Sequence, residues 1–127
     1  MIVAGVGCRA GTSAEEIERV VRMALGFFQL APERLDAIAT ESAKATEPAF
    51  REAARLLSVK LSACTVADLD RVAGQVLTIS LAALAAKGVP SVAEAAALVV
   101  AGRNARLLGT RLATERATCA IAIGEGR

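Results

Sequence analysis

The chain has 127 residues and a net charge of +2, and it contains no histidine, tryptophan or tyrosine. This length favours one domain over residues 1–127, and the small charge with few aromatic side chains argues against nucleic-acid binding. Without histidine the chain lacks the usual general base near neutral pH and the commonest transition-metal ligand. Because Cys8, Cys64 and Cys119 are widely spaced, we expect no metal site, no resident cofactor and no disulfide framework.

The most apolar stretch, residues 76–101, is interrupted by Lys87, Gly88, Pro90 and Glu94. It therefore lacks the roughly 20 unbroken apolar residues that a membrane span needs. The N-terminal residues also lack the charged and apolar segments of a signal peptide. We expect a cytoplasmic protein with no membrane partner.

The first predicted element is a buried strand over residues 1–6, an apolar run bounded by glycines. The sequence GVGCRAG at 5–11 follows as a turn. Ser13 and Glu16 then have the S-x-x-E spacing of a capping box. Apolar residues recur at helical spacing from Ile17 to Phe28, which predicts an amphipathic helix directly after the turn.

The rest of the chain alternates between short apolar runs and helical spacing. The runs predict strands at residues 35–40, 59–64, 105–108 and 117–123, with a turn at 109–116. Further helices are predicted from Pro48, over 66–73, and from Ser91 to Ala101, where Ser91 and Glu94 form another capping box. Residues 76–90 fit either a helix or an irregular buried segment.

This order of elements predicts an α/β fold, a three-layer α/β/α sandwich with helices on both faces of the sheet. The last two strands have a short connection, which favours antiparallel pairing and makes the central sheet mixed.

The glycine-rich turn has two interpretations. Gly5 and Gly7 would let the backbone approach an anion at the helix N-terminus, with Arg9 as a bidentate partner for a carboxylate. Alternatively, the glycines only form a sharp corner, and Ser13 satisfies the backbone of its own helix. The spacing departs from G-x-G-x-x-G, which argues against a nucleotide. Cys8 is a candidate nucleophile, although a packed turn cysteine is the simpler interpretation.

Polar residues also follow the predicted second strand, where open α/β sheets bind ligands. They are Thr40, Glu41, Ser42, Lys44, Thr46 and Glu47. This stretch is either part of one crevice with the first turn or a solvated loop. The arginines at 103, 106, 111 and 116 either attract a polyanionic small molecule or form a solvated rim.

Four blocks together resemble the CobE / CbiG C-terminal family of cobalamin-biosynthesis proteins. They read GVGCRAGTSAEEIE, ATESAKATEPAF, VPSVAEAAAL and LLGTRLATERATCAIA. The resemblance implies a three-layer α/β/α domain that acts on corrin-ring intermediates. It also implies the free-standing CobE form, because the other domains of CbiG proteins are not part of this chain.

The resemblance also implies where a ligand would bind. The family's first turn falls on Gly5, Gly7, Cys8, Arg9, Gly11, Thr12 and Ser13. Its second loop falls on Lys44 and Glu47, its helix-start glutamate on Glu94 and its last-strand threonine on Thr118. The family often has a lysine where this chain has Arg111, which keeps the charge without the amine. Thr40 and Arg111 complete the predicted ligand-binding set.

We therefore expect an accessory or carrier protein that binds a precorrin or corrinoid carboxylate, and any cobalt would belong to that ligand. One alternative is a hydrolase that opens the lactone of a precorrin-5A-type intermediate. Another is an interaction module that docks onto other cobalamin-pathway enzymes.

Overall fold

The N-terminal strand lies in the middle of the sheet. The structure, a computed structural model, describes residues 1–127 apart from the side chain of Lys87. The strands are β1 (Ile2–Cys8), β2 (Ala37–Glu41), β3 (Lys60–Cys64), β4 (Arg106–Leu107), β5 (Leu112–Ala113) and β6 (Ala117–Ile123). Their order is β3-β2-β1-β6-β4, with β5 also paired to β6. β1, β2 and β3 are parallel, whereas β6 is antiparallel to β1, which confirms a mixed sheet.

Helices cover both faces of this sheet. They are α1 (Ala14–Phe27), α2 (Ser42–Ala45), α3 (Pro48–Leu57), α4 (Val66–Arg71), α5 (Leu81–Lys87) and α6 (Val92–Ala101). Helices α1 and α3 bury their apolar stripes on one face, while α6 and α4 pack on the other. The predicted three-layer α/β/α sandwich is confirmed. In the part of the chain that the structure describes, no helix is long and apolar enough to cross a lipid bilayer.

The two faces of the sheet are packed differently. The α1 and α3 face contains large side chains such as Ile17, Ile38 and Phe50, all completely buried. The other face is covered by α6, whose sequence VAEAAALVVA is apolar around nearly its whole circumference. A helix of that kind is stable only when it is buried on most sides, and its small residues allow it to lie close to the sheet.

Gly5 permits the close approach of α6. A Cβ atom added at Gly5 would lie 1.9 Å from the carbonyl oxygen of Ala93 and 2.6 Å from the backbone nitrogen of Ala97. The glycine is buried in the middle of β1. Helix packing thus accounts for Gly5, in place of the approach to a ligand that the sequence suggested.

The predicted elements differ from the structure mainly at their ends. β1 extends to Cys8, and the helix after β3 ends at Arg71 before a 3₁₀ turn over Ala73–Gln75. Residues 109–116, predicted as a turn, contain the short strand β5. Residues 76–90 contain the helix α5, preceded by an irregular segment that is not buried as expected, since Leu77 is 56% and Ile79 75% exposed.

Replacing Gly5 by alanine should destabilise the fold, because the new methyl group would meet backbone atoms that cannot move independently. We expect Gly5→Ala to lower the free energy of unfolding by about 3 kcal/mol or more, measured by urea unfolding followed by circular dichroism. Gly26→Ala is the matched control. Gly26 lies in α1 with open space around its Cα, so alanine there should stabilise the protein by up to about 1 kcal/mol. Equal effects at both sites would contradict the packing explanation.

Candidate functional site

A cavity of about 410 Å³ opens at the carboxyl ends of β1 and β2. The antiparallel pairing of β6 with β1 places Ala117 opposite Cys8 and Thr118 opposite Gly7. The start of β6 therefore reaches the same edge of the sheet. Pockets for small molecules usually measure about 300–1,000 Å³ and often lie at this edge of an α/β sheet.

The structure brings about half of the predicted site residues together at this cavity. Those that line it are Gly7, Cys8, Arg9, Thr40, Lys44, Arg111 and Thr118. Those outside the lining are Gly5, Gly11, Thr12, Ser13, Glu47 and Glu94. The ends of β1 and β2 and the residues around β6 thus line one cavity, whereas the start of α1 lies elsewhere.

Two threonines hold the end of β1 from opposite sides. The Thr40 hydroxyl on β2 donates to the carbonyl oxygen of Val6 at 2.8 Å. The Thr118 hydroxyl on β6 donates to the carbonyl oxygen of Gly7 at 3.3 Å. Both hydroxyl protons are therefore used within the protein, and the oxygens of these side chains remain as acceptors at the cavity floor.

The first turn is largely a structural corner. The Thr12 hydroxyl donates to the carbonyl oxygen of Arg9 at 2.7 Å, and the Thr12 amide also points to that oxygen at 3.3 Å. Ser13 and Glu16 form the predicted capping box, with distances of 3.0 and 3.2 Å. The amides at the start of α1 are thus partly occupied by the protein itself. Gly11, with φ of +79°, supplies the left-handed conformation that the corner requires.

Positive charge dominates the cavity wall. The described lining residues include four cations, Arg9, Lys44, Arg111 and Arg116, and two carboxylates, Glu41 and Glu115. The Lys44 ammonium lies 3.5 Å from a carboxylate oxygen of Glu47, outside the lining.

Arg116 is bound mainly to the first turn. Its guanidinium donates to the carbonyl oxygen of Ala10 at 2.8 Å, and its Nε lies 3.7 Å from a carboxylate oxygen of Glu16. The exposed side chain of Arg9 starts from the same turn. Arg116 therefore braces the corner, and we regard Arg9, Lys44 and Arg111 as the cations that a ligand would meet.

The Cys8 thiol lies in this wall, but its environment argues against a nucleophile. Partial burial raises the pKa of Cys8, an effect that the Lys44 ammonium and the Thr12 hydroxyl offset only in part. Burial also raises the pKa of Cys64, to about 11, and that of the fully buried Cys119. A thiol is reactive as its thiolate, so the packed-cysteine interpretation fits Cys8 better.

The side chain of Glu94 differs from the capping box that the sequence predicts. The Glu94 amide donates to the Ser91 hydroxyl at 3.3 Å, so half of the predicted capping box is present. The carboxylate, however, accepts hydrogen bonds from Leu77, Thr78 and Arg111 instead of returning to Ser91. The capping-box prediction is wrong for this side chain because α6 buries residue 94 completely, next to segments that local spacing does not reveal.

Two parts of the cavity wall lie outside the predicted ligand-binding set. One is the α5 side, formed by Ser80, Ala82, Ala83 and Ala86, where alanines gave no chemical signal. The other is Glu41, which the sequence analysis placed in the polar stretch but not among the ligand-binding residues, and which is only 6% exposed. Its place as the last residue of β2 could have indicated it, since ligands bind at the carboxyl ends of strands.

No group of three or more Cys, Asp or Glu side chains in the described part of the chain could hold a metal ion. The donor set at the cavity consists of guanidinium, ammonium, hydroxyl and carboxylate groups. It suits an anionic organic ligand better than a bare cation.

Comparison with known proteins identifies the family of this chain. Residues 2–122 match the family described as "Cobalamin synthesis G C-terminus". The chain belongs to this family. It is a cobalamin-biosynthesis protein, and the resemblance found in the sequence is confirmed. Protein CobE from Sinorhizobium sp. is 36% identical over 121 residues, which covers 95% of this chain and 79% of that protein.

Solved structures of the family have the same fold. The crystal structure of CobE, a protein from the cobalamin biosynthetic pathway, matches with a TM-score of 0.93 and 36% identity over 100% of this chain and 92% of that one. The cobalamin biosynthesis protein chiG from Agrobacterium tumefaciens matches with a TM-score of 0.78 and 41% identity. The match covers 98% of this chain and 99% of that one. A homologue of cobalamin biosynthesis protein G from Sulfolobus solfataricus is 24% identical, with a TM-score of 0.70. It shares the fold, and this chain spans 37% of its length.

The charges around Cys8 should control its reactivity in opposite directions. The Lys44 ammonium lowers the pKa of Cys8 and the Glu47 carboxylate raises it. We therefore expect Lys44→Gln to slow alkylation of Cys8 by iodoacetamide at pH 8, and Glu47→Gln to accelerate it, as followed by mass spectrometry. Wild-type Cys8 itself should react more slowly than a small free thiol.

Cys8→Ser identifies the signal, since Cys64 and Cys119 are buried. Changes of the same sign in the Lys44 and Glu47 variants would show that access, and not charge, governs the reaction.

Proposed function

We propose that the cavity binds the carboxylate side chains at one edge of a precorrin or corrinoid, and that the protein acts as a carrier or accessory protein in cobalamin biosynthesis. One observation carries the proposal. Arg9, Lys44 and Arg111 come from three separate segments and converge on one cavity at the carboxyl ends of β1 and β2. Family membership indicates the pathway in which the protein acts, and the residues that line the cavity indicate the kind of ligand it binds.

The ligand's chemistry matches the residues of the wall. Corrin precursors are flat apolar macrocycles with many acetate and propionate side chains at the rim. Guanidinium groups recognise such carboxylates in a planar, bidentate manner, and an ammonium adds a point charge. The alanines of α5, together with Val92 and Ala117, give the cavity an apolar part between these cations.

The size of the cavity indicates that only an edge of the ligand enters. A corrin macrocycle with all its side chains is larger than the 410 Å³ available. The segment that forms the α5 wall also exposes large apolar side chains, with Ile79 75% and Leu81 80% accessible. These side chains flank Ser80 of the cavity lining in sequence, and they would offer an apolar surface to the rest of the macrocycle.

A second candidate function is hydrolysis of a lactone in a precorrin-5A-type intermediate. The buried position of Glu41 in the cavity wall favours it, because a shielded carboxylate is a suitable general base. Glu41 would take a proton from water as the water oxygen attacks the lactone carbonyl. The ring C–O bond would then break, and the protonated Glu41 would give its proton to the departing alkoxide. Turnover of a lactone by the purified protein that disappears in Glu41→Gln would favour this candidate over a carrier.

The carrier proposal predicts that binding depends on ligand carboxylates. Cobyrinic acid, a corrinoid with free carboxylates, should be retained by the protein in equilibrium dialysis, measured through the visible absorbance of the corrin. Its neutral methyl ester should bind much more weakly. Arg9→Gln, Lys44→Gln and Arg111→Gln should each weaken binding of the acid by about tenfold or more, because each removes a charge-assisted hydrogen bond.

Arg34→Gln is the matched control, since Arg34 is exposed and precedes β2 at the opposite end of the sheet. It should leave the affinity unchanged, and added salt should weaken binding of the acid. Equal retention of acid and ester, or no retention of the acid, would overturn the proposal.

A further inference from the structure

Two separate walls of the cavity are attached to the same buried carboxylate. Glu94 lies on α6 and is completely buried. Its Oε1 accepts from the amides of Leu77 at 2.9 Å and Thr78 at 2.8 Å. Its Oε2 accepts from the Thr78 hydroxyl at 2.9 Å and from the Arg111 amide at 3.0 Å.

The first attached segment leads directly into the α5 wall. Leu77 and Thr78 precede Ser80, whose amide donates to the carbonyl oxygen of Pro90 at 2.8 Å and closes the base of the segment. The helix α5 itself has little apolar anchoring, since Leu81 is 80% and Leu84 39% exposed, and the chain is buried again at Val89 after the helix. The position of α5 thus depends strongly on how its base is held.

The second attached segment carries one of the ligand-facing cations. Arg111 immediately precedes β5, which pairs with β6, and it is one of the residues that line the cavity. Its backbone amide is the group that Glu94 binds. That hydrogen bond therefore fixes the backbone position from which the Arg111 side chain starts.

We propose that Glu94 is the positioning residue of the cavity, which fixes the α5 wall and Arg111 relative to each other. The structural part of this inference stands on the four hydrogen bonds, and its effect on affinity rests on the proposed function. The carboxylate reaches about 16 residues back and 17 forward along the chain. One side chain thereby joins segments that are remote in sequence.

Glutamine at position 94 would separate the two attachments. Its amide oxygen can replace only one carboxylate oxygen, and its NH₂ group can only donate. With the oxygen toward Leu77 and Thr78, the Thr78 hydroxyl can turn and accept from the NH₂ group. The Arg111 amide would then face a donor, so Glu94→Gln should release Arg111 selectively and keep the base of α5.

Amide hydrogen exchange measured by NMR tests this inference without any ligand. In Glu94→Gln we expect protection of the Arg111 amide to fall by about tenfold or more, the effect of losing a hydrogen bond to a charged acceptor. Protection at Leu77 and Thr78 should change much less. Thr78→Val, which removes only the hydroxyl donor, should leave Arg111 protected.

The affinity for the ligand distinguishes a positioning role of Glu94 from a general contribution to stability. Glu94→Gln should weaken binding of cobyrinic acid in the wild-type background but should add little in an Arg111→Gln background. The control is the double-mutant cycle of Glu94→Gln with Arg9→Gln. Among the described contacts Glu94 does not bind the segment of Arg9, so the losses of binding free energy from these two substitutions should add. Additivity with Arg111 would overturn the inference.

The two proposals fail in distinguishable ways. If wild-type protein does not retain cobyrinic acid, the proposed function fails, while the exchange experiment still decides whether Glu94 positions both walls. If Glu94→Gln does not fold, native-state exchange of the wild-type protein decides instead. The amides of Leu77, Thr78 and Arg111 should then become exposed with the same dependence on denaturant, and independent opening would contradict the role of Glu94.

Discussion

The architecture depends on how closely α6 lies against the middle of the sheet. Gly5 has no side chain, and a Cβ there would overlap the carbonyl of Ala93. The alanine-rich surface of α6 completes this contact and buries the helix on nearly all sides. The same close contact buries Glu94, one residue after Ala93, beneath the cavity edge. The close packing at Gly5 thus contributes to the position of the buried carboxylate, which accepts hydrogen bonds from the backbone amides of Leu77, Thr78 and Arg111.

The cavity forms where strand polarity brings different segments together. Parallel β1 and β2 end at this edge, and antiparallel β6 begins there, with Thr118 opposite Gly7. Thr40 and Thr118 fix the carbonyls near the end of β1 from both sides. The floor of the cavity is thereby rigid, and its chemistry comes from the loops and from α5. This division resembles other α/β proteins, in which the sheet positions a site and the connections supply its specificity.

The fold could be predicted from the sequence because its signals are local. The capping box at Ser13 and the apolar periodicity of α1 are such signals, and the structure confirms both. The site was only partly predictable, because it depends on contacts between remote segments. The four donors to Glu94 include Arg111, 17 residues away, and no spacing rule relates them. The alanine wall of α5 was missed because alanine carries no chemical signature, although it leaves the space that a ligand needs.

A carboxylate at position 94 is costly in a way that an apolar side chain is not. Burying a charge is unfavourable unless hydrogen bonds replace the lost water, and here donors from Leu77, Thr78 and Arg111 do so. A leucine would fill the same space but would leave those three backbone amides without their acceptor. The helix itself does not require the charge, since Ser91 already caps α6 through the Glu94 amide. The charge is best explained by the segments it holds, and these segments form the two sides of the cavity.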